Sequence, residues 1–498
     1  MARFKVDDVE YEAEAGTPLL RALDELGVLM NGVDVPHYCW HPKLSVDGSC
    51  RLCQVEIEGV PKLQIACDTP VRDGLVVRTD TARVQSAREG VMELLLLNHP
   101  LDCPICDQAG ECQLQDYAFD YGVPAARMRE PRRAAKKRQD LGKAIVFDQE
   151  RCILCRRCVR FCREVTGTNE LGVLRRGDRS VLETAPGLPL DNDYSMNVAD
   201  ICPVGALTTK DFRFKVRVWD LENVPGVCTG CSRGCNVEIG VARGNVQRYV
   251  PRRNDAVNET WLCDVGRLSY KEIGAPDRVR DVSVRGEHGL TPASLEEAIA
   301  GASKRVRTVL DEHGGAAVAG IASAHACNED LEVFGALLDA LGAGARGAPV
   351  PLGPSDELLV RPEKAANAHG ARALGFGDPA PWLDRLGGGD VRVLIVLGHD
   401  LLGADFLGSE AALSEIGTVI LLDTHQSALA RVADFVFPAR HPAEREGTLT
   451  NHAGRVQPVV RAVEPPFPAW TEGEILARLG TALGLEAFGS APAPGPGR

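Results

Sequence analysis

Sixteen of the seventeen cysteines lie before residue 264, in sets whose spacing suits metal ligation. Such density in a long chain without a secretory leader points to metal rather than disulfides, because reducing compartments keep thiols free. The most compact set is His99-Pro-Leu-Asp-Cys103-Pro-Ile-Cys106-Asp-Gln-Ala-Gly-Glu-Cys112, one imidazole and three thiols within fourteen residues. Its H-x3-C-x2-C-x5-C spacing lets one loop wrap one group, with Gly110 supplying the tight turn between the second and third thiols. A lone histidine is usually structural, but one at ligand spacing from three cysteines reads as a ligand. Taken alone, the stretch fits zinc and iron–sulfur equally, since zinc sites with three cysteines and one histidine use similar spacings.

The other sets decide between them. Arg3 to Val6 and Val9 to Ala13 flank Asp7-Asp8 as a hairpin; Thr17 is the expected cap of a helix that begins at Pro18 and stops at Gly27, the opening of a β-grasp pattern. Cys39-x10-Cys50-x2-Cys53-x13-Cys67 follows, with Val55 and Ile57 facing a core and Glu56 and Glu58 facing out. Four thiolates on one loop-rich face suit a [2Fe–2S] cluster, in a variant of the plant-type spacing. His41 imitates half of a Rieske pair, but the second pair is Cys50 and Cys53, so His41 is expected outside the ligand set.

Residues 82–97 carry an apolar helical stripe at Val84, Ala87, Val91, Leu94 and Leu95 that leads to His99. Arg127 to Arg138 holds seven basic residues against Glu130 and reads as a solvated connector. Cys152-x2-Cys155-x2-Cys158-x3-Cys162 then precedes Cys202-Pro203. In two-cluster ferredoxins the fourth cysteine of each run serves the other cluster, so Cys152, Cys155 and Cys158 are expected to share a [4Fe–4S] cluster with Cys202. The partner cluster of Cys162 would need cysteines where Asn192, Ser195 and Val198 stand, so it is lost and Cys162 is a spare thiol. Cys228-x2-Cys231-x3-Cys235-x27-Cys263 is a further four-thiol set, expected between strands over Arg213 to Trp219 and Asn236 to Val241. Complete sets in this number, one with interleaved ferredoxin order, favour iron–sulfur over zinc.

At 498 residues the chain exceeds one core, and 44% apolar residues suffice for about three to five domains. The net charge of −13 argues against nucleic acid as a main partner. Met1-Ala-Arg-Phe-Lys carries no signal h-region, and the Val91 to Leu97 run is too short to span a bilayer, so a cytosolic location is expected. After residue 278 buried-strand patterns at Val318 to Ser323, Arg392 to Leu397 and Thr418 to Leu422 alternate with helices that open on the capping boxes Ser294/Glu297 and Thr471/Glu474, an α/β region. Gly342-Ala-Gly344-Ala-Arg-Gly347 spells a dinucleotide fingerprint but follows a helix, and Cys327 at a helix start reads as a small buried residue. Residues 489–498, rich in Pro and Gly, read as a flexible tail.

The segments CRLCQVEIEG, LLLNHPLDCPICDQAGECQLQDYA, RCILCRRCVRFCREVTG, ADICPVGAL and REGTLTNHAGRVQ resemble the large iron–sulfur subunit of bacterial NADH-quinone oxidoreductase, respiratory complex I. The resemblance implies a multidomain α+β chain. It would comprise a β-grasp [2Fe–2S] ferredoxin-like domain over 1–80, a His/Cys [4Fe–4S] segment over 81–121 and a bacterial-ferredoxin-like [4Fe–4S] domain over 140–215. A four-cysteine [4Fe–4S] domain over 216–277 and a truncated α/β molybdopterin-oxidoreductase-like domain over 278–488 would follow. It assigns one [2Fe–2S] cluster to Cys39, Cys50, Cys53 and Cys67. Three [4Fe–4S] clusters fall to His99, Cys103, Cys106 and Cys112; to Cys152, Cys155, Cys158 and Cys202; and to Cys228, Cys231, Cys235 and Cys263, the last lying away from the main electron path in the family.

No site for NADH or flavin and no proton-transfer constellation is legible, so the expected role is electron relay, with no molybdenum cofactor and no catalytic side chain of its own. By resemblance, electrons arrive from a flavin-bearing NADH-oxidising subunit and leave through other iron–sulfur subunits toward quinone. The implied location is the peripheral arm of complex I, on the cytoplasmic side of the inner membrane, touching membrane only through partners. An NAD-linked formate dehydrogenase or a hydrogenase shares the front half. The first normally needs a second ferredoxin cluster and a far longer molybdenum domain, the second further downstream cysteines. A zinc-stabilised scaffold is the non-redox alternative.

Overall fold

In the computed structural model, which describes residues 1–488 apart from 126, 384–385, 399–400, 403–412 and 414, the chain opens on a hairpin with a two-residue turn. Asp7 (φ 47°) and Asp8 (φ 71°) occupy left-handed backbone, which matches the twist of flanking strands and pairs β1 (Ala2–Val6) with β2 (Val9–Ala13). β3 (Gln54–Ile57), β4 (Gln64–Ile65) and β5 (Leu75–Arg78) complete a sheet of order β2-β1-β5-β3-β4, in which β1 and β5 run parallel. Helix α1 (Leu19–Glu25) lays Leu19, Leu20 and Leu23 on that sheet, each side chain worth about 1.5–3 kcal/mol of burial. This is the β-grasp expected. Gly27 ends the helix region at φ 71°. The cap differs from expectation: Pro18 holds the N-cap position without a side-chain bond, while the Thr17 carbonyl accepts from the Val71 amide at 2.9 Å.

Helix α2 (Ala82–Leu96) buries Val84, Arg88 and Met92, a face rotated from the expected apolar stripe, and Leu94 is exposed. The rotation follows from polar partners. Arg88 lies 5.1 Å over the Tyr121 ring, and Met92 sulfur accepts from the Tyr38 hydroxyl at 3.4 Å. Helix α3 (Gln113–Tyr121) packs on α2. A small sheet of β6 (Gln139–Asp140), β7 (Ile145–Phe147) and β10 (Leu207–Thr209), the hairpin β8 (Leu171–Leu174)/β9 (Val181–Thr184) and helix α4 (Arg157–Glu164) form the next module. The connector at 127–138 is largely exposed, as expected. Together these make one compact unit, Met1–Leu221.

Arg213 to Trp219 is not the strand expected there. It wraps the Cys103–Cys112 loop instead. The Phe214 amide donates to Asp107 at 2.9 Å, and Arg217 donates to the carbonyls of Cys106 (2.7 Å) and Pro104 (2.6 Å). Its alternation of basic and apolar residues serves a strap with one face on a carbonyl-rich loop.

The second unit, Glu222–Arg498, opens with the antiparallel sheet β11 (Glu222–Val227), β12 (Asn236–Ala242) and β13 (Asn245–Pro251). Its main sheet adds β14 (Ser283–Gly286), β15 (Gly289–Pro292), β16 (Val318–Ile321), β17 (Ala345–Gly347), β18 (Val393–Leu397), β19 (Thr418–Asp423) and β20 (Phe435–Pro438), in the order β15-β14-β20-β19-β18-β16-β17. β17, β16, β18, β19 and β20 run parallel, and β16, β18 and β19 are buried at every residue because both faces are covered. Alternate residues feed two cores. Ile395 and Ile420 pack with the helices Leu295–His313 and Asn328–Leu341; Leu394 and Val419 pack with Leu429 and Trp382. Both capping boxes form. Gly342 caps the preceding helix at φ 66° and the chain runs on into β17, so the Gly342–Gly347 pattern has no strand-to-helix turn. Cys327 is buried at the start of the Asn328–Leu341 helix. The expected tail over 489–498 lies outside the described residues.

Candidate metal centres

The β-grasp core carries the first thiol set. Cys53 and Cys67 belong to the hydrophobic cluster of α1 and the sheet. Cys39 hydrogen-bonds Cys50, Cys53 hydrogen-bonds Cys67, and Cys67 lies in the field of Cys39 and Cys50, so all four meet. Within the first pair, the bond from the Cys39 thiol pulls Cys50 down to about 6 and holds Cys39 well above its ordinary value. The amides of Ser49 and Cys50 point at the Cys39 sulfur and that of Leu52 at Cys50. Arg51, left-handed at φ 58°, turns the loop between them. His41 stands apart, its Nδ1 accepting the Lys43 amide at 3.2 Å.

Cys152, Cys155, Cys158 and Cys202 stand around one cavity, closed by Phe147 and Leu182. Burial pushes Cys152 and Cys202 up to about 12. The Leu154 amide reaches the Cys152 sulfur at 3.4 Å, and the amides of Ala206 and Leu207 point at Cys202. Leu154 (φ 55°) and Arg156 (φ 58°) are both left-handed, a backbone state that non-glycine residues adopt at a cost and that curls a loop around its contents. Cys162 is excluded from this cavity and instead hydrogen-bonds Glu170.

Cys103, Cys106 and Cys112 share one another's field, Cys103 exposed and the others buried. Gly110 turns between them at φ 90°, and a Cβ there would come 2.8 Å from Val218 of the strap. His99 is half-buried; burial, then the neighbouring Arg151 charge, push it down to about 4. Arg151 also lies in the field of Cys106, so it is the common neighbour of the imidazole and the Cys106 thiol. Asp102 holds Arg151 at 2.9 Å.

Contacts tie these three sets together. Gly205 backs onto Cys106: a Cβ at Gly205 would fall 2.2 Å from the Cys106 sulfur. Cys112 sulfur lies 3.9 Å from the Pro203 carbonyl, one residue past Cys202. From α4, Arg157 donates to the Trp40 carbonyl at 2.7 Å and the Ile201 carbonyl at 3.2 Å; Arg160 donates to the carbonyls of Cys39, Ser45 and Cys155. Glu164 accepts the Ser45 amide at 2.8 Å.

In the second unit the β11–β12 loop carries Cys228, Cys231 and Cys235. The Cys228 amide donates to the Cys235 carbonyl at 2.8 Å, and Gly234 turns at φ 61°. Cys263 joins them: a Cβ on Gly266 would touch both the Cys228 sulfur (2.9 Å) and the Cys263 sulfur (3.1 Å). The Gly266 amide donates to Cys263 at 3.3 Å. The thiols thus lie near one another within the groups their spacing marks out, though among the described residues no three His, Cys, Asp or Glu side chains stand at metal-ligand geometry. Grouped, buried cysteines with amides aimed at sulfur suit thiolate ligation of iron–sulfur clusters, whose sulfurs are stabilised by such N–H donors.

Fold and thiol sets together define a modular iron–sulfur chain. Residues 1–82 match the family described as "2Fe-2S iron-sulfur cluster binding domain", 88–127 "NADH-ubiquinone oxidoreductase-G iron-sulfur binding region" and 142–208 "NADH-quinone oxidoreductase subunit 3, ferredoxin-like domain". Residues 221–274 match "Molybdopterin oxidoreductase Fe4S4 domain" and 362–482 "Molybdopterin oxidoreductase". The chain is a homologue of the large iron–sulfur subunit, the G subunit, of NADH-quinone oxidoreductase. It is 38% identical to that protein of Rickettsia felis over 343 residues, covering 69% of this chain and 50% of the relative. Identity is 39% to the corresponding protein of Streptomyces coelicolor (59% of this chain, 35% of the relative). It is 38% to the mitochondrial NADH dehydrogenase [ubiquinone] iron-sulfur protein 1 of Solanum tuberosum (68% and 44%). The chain thus spans half or less of the length of these relatives. A solved chain of an NAD+-reducing [NiFe]-hydrogenase in the H2-reduced state is 29% identical and overlays 44% of this chain and 91% of its own at a TM-score of 0.38. Among the described residues no helix is long and apolar enough to cross a membrane.

Proposed function

We propose that this chain is an electron-relay subunit of NADH:quinone oxidoreductase, passing electrons from the NADH- and flavin-bearing subunit toward quinone. The carrying observation is the contiguity of three thiol sets in one unit, with Arg157 and Arg160 spanning the first and third and Gly205 seated on Cys106 of the second. Cys39, Cys50, Cys53 and Cys67 would hold a [2Fe–2S] cluster. His99, Cys103, Cys106 and Cys112, then Cys152, Cys155, Cys158 and Cys202, and finally Cys228, Cys231, Cys235 and Cys263 would each hold a [4Fe–4S] cluster. Bound clusters supply one-electron redox states.

The protein's part is to hold the sulfurs, keep water out and aim amides at them. Cys53 and Cys67 in an apolar core, and the Leu154, Leu207 and Gly266 amides beside sulfur, do this. Amides directed at sulfur favour the more negative, reduced form. The proposed segmentation is 1–80, 81–121, 140–215, 216–277 and 278–488. No molybdenum cofactor is expected. The proposed partners are the flavin-bearing subunit and other iron–sulfur subunits, in the peripheral arm on the cytoplasmic side of the membrane.

Anaerobic purification tests this directly. Iron and sulfide analysis with EPR should give one [2Fe–2S] and three [4Fe–4S] clusters per chain. Stoichiometric zinc without visible charge-transfer absorption would replace this reading with a zinc scaffold.

A further inference from the structure

We propose that Arg157 and Arg160 form a shared cationic bridge that sets the reduction potentials of the Cys39–Cys67 and Cys152–Cys202 centres together. The inference rests on reading both thiol sets as cluster sites.

The two arginines lie one helical turn apart on α4, 6% and 3% exposed. Each spans the two centres through main-chain carbonyls. Arg157 joins Trp40, next to Cys39, to Ile201, next to Cys202; Arg160 joins Cys39 itself to Cys155. Among the described residues the guanidinium contacts of both are to main-chain carbonyls rather than carboxylates, and the Nε–H of each is buried without a hydrogen-bond partner. A buried charge is costly unless hydrogen bonds and an opposing charge offset it. The opposing charge on hand is thiolate: Arg157 lies in the field of Cys155, Cys202, Cys39 and Cys50. Two cations with no carboxylate partner and a spare N–H donor each, set between two ligand sets that are anionic once loaded, stabilise added negative charge at both. Reduction adds that charge, so the pair raises both potentials, and burial keeps salt from screening the effect. Neither arginine touches a reacting atom. They are positioning residues that also act through their charge.

The test is an EPR-monitored redox titration of the anaerobically purified, cluster-loaded full chain, with iron content measured alongside. Arg157→Met should keep its iron and lower the midpoints of both bridged centres, each by at least tenfold in the reduction equilibrium, about 59 mV for one electron. The centres at His99–Cys112 and Cys228–Cys263 should stay within a fraction of that shift. Arg157→Lys should return both midpoints most of the way. Arg160→Gln should lower the same two midpoints and supplies the measurement if Arg157→Met loses iron. Unmoved midpoints, a shift at one bridged centre only, an equal shift at all four, or iron loss in both neutral variants would overturn the bridge. A wild-type chain without clusters would overturn the proposed function itself, and that result is read before any variant is compared.

Discussion

Cys162 and Asn192 converge on one buried carboxylate. The Cys162 thiol hydrogen-bonds Glu170, and the Asn192 side-chain amide donates to Glu170 at 2.7 Å, with the Thr168 hydroxyl donating to its other oxygen. Ser195 and Val198 are fully buried as well. These are the positions where a two-cluster ferredoxin would place its second ligand set, and here hydrogen bonds and packing occupy them.

Cys162→Ala should therefore leave the iron content and every EPR signal unchanged. It removes one hydrogen bond but leaves Glu170 its Asn192 and Thr168 donors, at a cost of about 0.5–1.5 kcal/mol in stability. Iron analysis of the purified variant checks it; loss of one cluster's iron would assign Cys162 as a ligand.

His99 bears on the charge of its site. His99→Cys keeps four ligands but exchanges a neutral donor for an anionic one, so the potential of that centre should fall, on the order of 100 mV. His99→Ala opens a coordination position and should give a labile or three-iron cluster. An unaltered spectrum and midpoint in His99→Ala would remove His99 from the ligand set.

Gly205→Ala drives a methyl group into Cys106. With the Cβ 2.2 Å from that sulfur and 3.0 Å from the Gln108 Cβ, the thiol must move. Overpacking of this kind costs about 1–3 kcal/mol. The EPR signal of the His99–Cys112 centre should be lost or displaced while that of the Cys39–Cys67 centre is retained. Retention of both would show that the Cys202–Gly205 turn yields freely.

His441 links the second unit to pH. Its Nδ1 accepts the Ala443 amide at 3.2 Å, a role open only to unprotonated imidazole, and burial beside Arg278, Arg445, His425 and His325 holds its pKa well below the ordinary value. Folded and unfolded chains both carry it neutral above its unfolded pKa of about 6.5, so no pH dependence arises there. Below that value the unfolded chain takes up a proton that the folded chain refuses, and stability falls by up to ~1.4 kcal/mol per pH unit until the folded pKa is reached. Calorimetry of the second unit's transition at pH 7.5 and 5.5 should show this loss, and His441→Asn should flatten it. An equal slope in the variant would assign the dependence elsewhere.

The neighbourhood of the thiols was legible because thiol spacing is a local property: a loop that brings several cysteines together carries them close in sequence, and Gly110 and Gly234 mark where such loops turn. The parallel strands were legible because burial on both faces leaves unbroken apolar runs such as Val393–Leu397. Long-range polar partners were not. Arg88 turns α2 toward Tyr121, and Arg217 converts an apparent strand into a strap, because their partners lie 33 and 111 residues away. The left-handed Leu154 leaves no mark in residue type, and the carbonyls that Arg157 and Arg160 reach lie up to 121 residues away.

The contacts of Arg157 and Arg160 share a property with those of Arg217: every hydrogen-bond acceptor is a main-chain carbonyl, on Cys39, Trp40, Ser45, Cys155 and Ile201 for the first two and on Pro104 and Cys106 for the third. A peptide oxygen is present whatever side chain its residue bears. Mutational drift at Trp40, Pro104 or Ile201 therefore leaves these hydrogen bonds intact, whereas drift at the three guanidinium groups removes them. At these contacts recognition lies wholly on the guanidinium side, which frees the side chains of the residues that supply the oxygens to diversify.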